Sequence, residues 1–74
     1  MKPAEAIRTI LKKQNVTINK LADRLNVPPR LITDRFRQNN ISVAKVNEML
    51  RALDYKIVIV PRETRIPDGG IEIE

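Results

Sequence analysis

Three charged residues, Arg30, Asp34 and Arg37, follow the double proline Pro28-Pro29 at spacings of four and three. A guanidinium carries a planar fork of donors, which fits paired acceptors such as guanine O6 and N7. A carboxylate between two such forks only accepts, and it suits a donor such as cytosine N4. This is recognition chemistry. The chain has no histidine and no cysteine. That removes the commonest acid–base catalyst, the commonest zinc ligand, thiolate metal sites and disulfides. The expectation is a binding protein with no catalytic residue, no metal and no cofactor.

A helix must hold those three side chains on one face for them to act together. The segment LADRLNVPPRLITDRFR, residues 21–37, is helical in pattern on both sides of Asn26-Val27-Pro28-Pro29. On a wheel of about 100° per residue with Ile32 at zero, Phe36 falls at about 40° and Arg35 at about −60°. Arg30 falls at about 160°, Arg37 at about 140°, Asp34 at about 200° and Thr33 at about 100°. Ile32 and Phe36 thus point inward, and Arg30, Asp34 and Arg37 share the opposite face. The same spacing also allows ordinary solvated ion pairs, Arg30 with Asp34 and Asp34 with Arg37.

The remaining elements follow from periodicity and punctuation. Pro3 is a good first helical residue, and Ile7, Ile10, Leu11 and Gln14 form one stripe ending near Asn15. Thr17 is a natural N-cap for a short second helix whose buried face is Leu21, Ala22 and Leu25. Val27 precedes proline, which pushes it out of the α region. A third helix fits Pro29 to Gln38, and Asn39-Asn40 breaks it. Ser42 caps a fourth, with Val43, Val46, Leu50 and Leu53 on one face. Three helix ends fall on Asn15, Asn26 and Asp54, residue types that tolerate the left-handed conformation. Lys56–Val60 is then a β-branched run stopped by Pro61, and Pro67-Asp68-Gly69-Gly70 is turn chemistry. Ile71-Glu72-Ile73-Glu74 alternates strictly, as a short strand would.

At 74 residues there is room for one domain, which alone is only marginally stable. No apolar stretch approaches the roughly 20 residues of a membrane span, and no signal-peptide pattern opens the chain. Formal charge is +5 over the whole chain. Residues 1–62 hold 13 basic and 5 acidic side chains, and residues 63–74 hold one and four. A basic body with an acidic tail points to a polyanionic partner for the body.

The run Thr17-x-x-x-Leu21-Ala22-x-x-Leu25-Asn26-Val27, through Ile32 and Phe36, resembles the Cro and phage-repressor helix-turn-helix family of the XRE type. The following MLRALDYKIVIVP is similar to the LxALGYxxxxxP run of that family, so the resemblance covers roughly residues 5–61. It implies a mainly α fold, a four-helix lambda-repressor-like domain over residues 1–55. Residues 56–74 would add a C-terminal β-strand or short hairpin for dimerisation. It also implies a small cytoplasmic homodimer, prokaryotic or phage-encoded, that binds double-stranded DNA at an inverted repeat as a repressor. The helix from Pro29 would lie in the major groove with Pro29, Arg30, Thr33, Asp34 and Arg37 toward the bases. Thr17, Asn19 and Lys20 on one side, and Asn39, Asn40, Ser42 and Lys45 on the other, would hold phosphates. Departures stand at Pro28 and Pro29, where relatives carry Ser, Thr or Gln, and at Asn26 and Asp54, where they carry glycine. Pro29 has no donor and offers apolar contact alone, for instance with a thymine methyl.

A five-residue strand that is apolar on both faces is not stable alone in water. Ile57 and Ile59 can pack on the helices, while Val58 and Val60 need cover. We expect Ile57, Val58, Ile59 and Val60 to pair or pack across a two-fold axis. An intramolecular hairpin with the tail is the alternative. In either case Glu72 and Glu74 are held away from DNA. Two other functions fit the same residues: an antitoxin or adaptor whose main role is to bind a protein partner, and an interaction module that has lost DNA binding.

Overall fold

The structure, a computed structural model, describes residues 1–73. Four helices follow one another: α1 (Pro3–Gln14), α2 (Ile18–Leu25), α3 (Pro29–Arg37) and α4 (Val43–Ala52). Each starts on a recognisable residue. Pro3 opens α1, and the Glu5 carboxylate accepts the Lys2 N–H at 3.4 Å. Thr17 Oγ1 accepts the Lys20 N–H at 3.1 Å, and Ser42 Oγ accepts the Lys45 N–H at 3.2 Å. Each cap satisfies one of the donors that a helix start leaves orphaned.

The ends of α1, α2 and α4 share one closure. Asn15, Asn26 and Asp54 have φ of 57°, 57° and 64°. The next residue donates its N–H five places back, Val16 to Leu11 O at 2.9 Å, Val27 to Ala22 O at 3.0 Å and Tyr55 to Leu50 O at 2.9 Å. This is the Schellman pattern, made here without glycine. Val16, Val27 and Tyr55 then pack against the core, so each closure is also an apolar anchor. Helix α3 ends differently, on Gln38 in extended conformation.

The core joins all four helices through Ile7, Ile10 and Leu11, Leu21 and Ala22, Ile32 and Phe36, and Val46, Met49 and Leu50, with Leu53 just beyond. Helix α2 packs on α3 and α4, and α1 packs on α4. The inner face of α4 differs from expectation at one place. Val43 is 72% exposed, and Met49 is fully buried instead. Val43 is the first helical residue, on a turn that no partner helix covers, whereas Met49 faces the centre of the bundle.

The C-terminal expectation is corrected. Among the described residues there is no strand, and Ile57–Val60 pairs with nothing in the chain. The hairpin alternative therefore fails. Two isolated turns close on Thr64 N–H to Pro61 O and Gly70 N–H to Pro67 O, both 2.9 Å, with Gly69 at φ 84°. The reason lies in Ile71, which packs against the helical core instead of pairing with the earlier run. Tyr55 and Ile71 thus pin both ends of an excursion whose middle is exposed. Ile57 and Ile59 do not join the helical core as expected: Ile57 is 38% and Ile59 97% exposed. Glu74, the last residue of the expected alternation, lies outside the described residues. No described helix is long and apolar enough to cross a membrane.

Candidate functional site

Helix α3 is held from behind, which leaves its outer face open. Ile32 and Phe36 are buried, and Arg8 of α1 lies over the Phe36 ring at 5.1 Å. Arg35 points sideways, its side chain only 12% exposed, and its Nη1 donates to Glu48 Oε1 on α4 at 3.0 Å. These contacts fix the rotation of α3 about its own axis.

On the opposite face Arg30, Asp34 and Arg37 are all exposed. Among the described residues none of the three side chains makes an ion pair or a hydrogen bond, with each other or elsewhere. The solvated pairs that their spacing allowed are not formed. Thr33 is half-buried, and its hydroxyl donates back to Pro29 O at 3.3 Å, which leaves its oxygen lone pairs for another donor. Pro28 and Pro29, both exposed, open the helix.

An open groove runs along α3, lined by Pro28, Arg30, Leu31, Asp34, Arg35, Gln38 and Lys45. It brings Lys45, from the first turn of α4, beside Arg30 and Asp34. Three cations and one carboxylate line it, so an anion is favoured there. Thr17, Asn19 and Lys20 do not line this groove; they stand exposed at the start of α2. Asn39 lines a second groove with Lys2, Glu5, Arg8, Phe36 and Gln38, at the far end of α3. Asn40 and Ser42 are exposed in the segment that joins α3 to α4.

Sequence reasoning missed Gln38, which lines both grooves, and Arg35, which the wheel placed beside the core without a partner. The available signal for Arg35 was a carboxylate on the next helix, Glu48, at the matching edge.

Two short helices, the second with an unpartnered arginine face and braced from behind, form the geometry of a helix-turn-helix unit. A family model described as helix-turn-helix matches residues 7–60, well over half of the chain. No curated protein and no solved structure matches it.

Proposed function

The chain belongs to the Cro- and repressor-like helix-turn-helix family, and on that premise we propose that it binds double-stranded DNA sequence-specifically as a small homodimeric repressor. Helix α3 enters the major groove with Arg30 leading. The carrying observation is that Arg30 stands exposed and unpartnered in the first turn of α3, with Asp34 four residues away and not paired to it. Leaving two opposite charges unpaired on one helix face gives away a small local stabilisation, and it keeps both free for a ligand. Arg30 then pairs with guanine O6 and N7, and Asp34 accepts from cytosine N4. Arg37, about 10 Å further along the axis, meets the phosphate backbone. Lys45 and Ser42 at the start of α4, Asn39 and Asn40 before it, and Thr17, Asn19 and Lys20 at the start of α2 hold phosphates on either side. Residues 1–55 form the DNA-binding body, and residues 56–74 are the dimerisation element.

The exposed run Ile57–Val60 supports the homodimer, because an apolar stretch left exposed by the described residues favours cover from another chain. The same run supports a second reading, an antitoxin or adaptor that holds a protein partner there. Selection from a random duplex library tests the first reading against an interaction module that has lost DNA binding, which enriches no sequence, whereas an antitoxin or adaptor still binds DNA. Light scattering of the pure protein separates the two uses of the run. The homodimer gives twice the chain mass, and the adaptor stays monomeric until its partner is added.

A further inference from the structure

Helix α3 begins with two prolines, Pro28 as its N-cap and Pro29 as its first residue, both exposed. Neither has an N–H, and Pro28 makes no side-chain cap. Where a helix start ordinarily turns donors toward an anion, α3 presents ring methylenes. Behind them sits Leu31, half-buried, in the groove that Pro28 shares with Arg30 and Asp34. An apolar edge thus adjoins Arg30, the exposed arginine in the first turn of the binding face.

We infer that this edge is a methyl reader: Pro29, backed by Pro28 and Leu31, packs on the C5 methyl of a thymine beside the guanine that Arg30 pairs with. The inference rests on the DNA-binding reading and deepens it. In the major groove the thymine methyl is the apolar group that a base pair offers, so it is what exposed proline rings at a helix start can recognise there. Pro29 and Arg30 are neighbours with a rise of about 1.5 Å, against about 3.4 Å between base pairs, so they reach the same or adjoining pairs. The rim of Arg30, Arg35 and Lys45 favours a polyanion over an apolar peptide as the occupant.

The test starts with the half-site selected by the full chain from a random duplex library. Each thymine in it is then replaced singly by deoxyuridine, which removes the methyl and keeps every hydrogen-bonding atom. One thymine, adjoining the guanine whose preference Arg30→Ala relaxes, is expected to give binding weaker by about fourfold per half-site, the worth of one buried methyl. Pro29→Ser should then bring the thymine-to-deoxyuridine affinity ratio at that position close to unity. The ratio is taken within one protein, so a general weakening of Pro29→Ser does not disturb it. A half-site with the Arg30-dependent guanine and no methyl-dependent thymine beside it would overturn the methyl reader and leave the DNA reading standing. A library from which nothing is selected would overturn the DNA reading, and the methyl reader with it.

Discussion

An arginine on an exposed helix face commonly lies against a carboxylate one turn away, and Asp34 is that carboxylate for Arg30 and Arg37. The structure leaves all three apart. Arg35, the neighbouring arginine, shows the contrast, since it is largely covered and bonded to Glu48. One arginine of α3 braces the helix while two face outward. The outward pair should differ in kind, because Arg30 sits in the first turn and Arg37 at the last helical residue. Arg30→Ala should cost roughly 1–3 kcal/mol of binding and relax preference at one base position. Arg37→Ala should weaken all sequences alike and lower the salt dependence of binding by about one unit of slope per half-site, about two for the dimer. Library selection with each variant checks this, and an unchanged consensus for Arg30→Ala removes that residue from the readout. In the proposed interface Asp34 would act in the opposite sense, repelling phosphates while accepting from one base. Asp34→Ala should therefore tighten binding to random duplex and loosen discrimination, which competition between selected and random DNA measures.

At the scale of elements, the three closures at Asn15, Asn26 and Asp54 set where each helix stops and how the next leaves. The left-handed backbone at Asn26 fixes the turn between α2 and α3. Asn26→Gly should be neutral or mildly stabilising, whereas the β-branched Asn26→Val should cost on the order of 1–2 kcal/mol. Equal melting temperatures for the two variants would show that φ at this position does not control the turn. The end of α4 is tied down from two sides, by Gln14 Nε2 to Leu53 O at 2.8 Å and Arg24 Nη1 to Ala52 O at 3.0 Å. Gln14→Ala should lower stability by about 1 kcal/mol in thermal or urea unfolding, the usual net worth of one such bond. The helices, caps and left-handed ends were legible because each depends on residues within one or two turns. The inner face of α3 was legible too, since it is made by Ile32 and Phe36. Arg35–Glu48 and Gln14–Leu53 were not, because they join segments far apart in sequence. The run from Lys56 to Val60 has strand propensity, but propensity makes a strand only where a partner exists. Ile71 takes its place on the helical core and leaves that run without one.

At the scale of the whole molecule, a body of four helices carries a C-terminal excursion pinned at Tyr55 and Ile71, with Ile57, Val58, Ile59 and Val60 all exposed. A domain of 74 residues buries a modest core, so an apolar surface on this scale is costly to leave in water. One copy of α3 also reads only a few base pairs, too few for useful specificity. A two-fold dimer joined through the excursion addresses both, and it places two α3 helices on one face of a duplex. We expect an inverted repeat with half-site centres about 10 base pairs apart, one helical turn. With around four phosphates neutralised in each half, log affinity should fall against log salt with a slope of about −7. The double variant Val58→Lys, Val60→Lys should be monomeric by light scattering, keep its helical circular dichroism and lose specific binding. Its helices should persist because neither valine contributes to the core. A half-site duplex should show that α3 is intact in the variant, since the monomeric variant and the wild type would bind it with similar low affinity. A wild-type chain that stays monomeric at micromolar concentration and still protects a single short site would sink the dimer. The exposed run would then be left to a different protein.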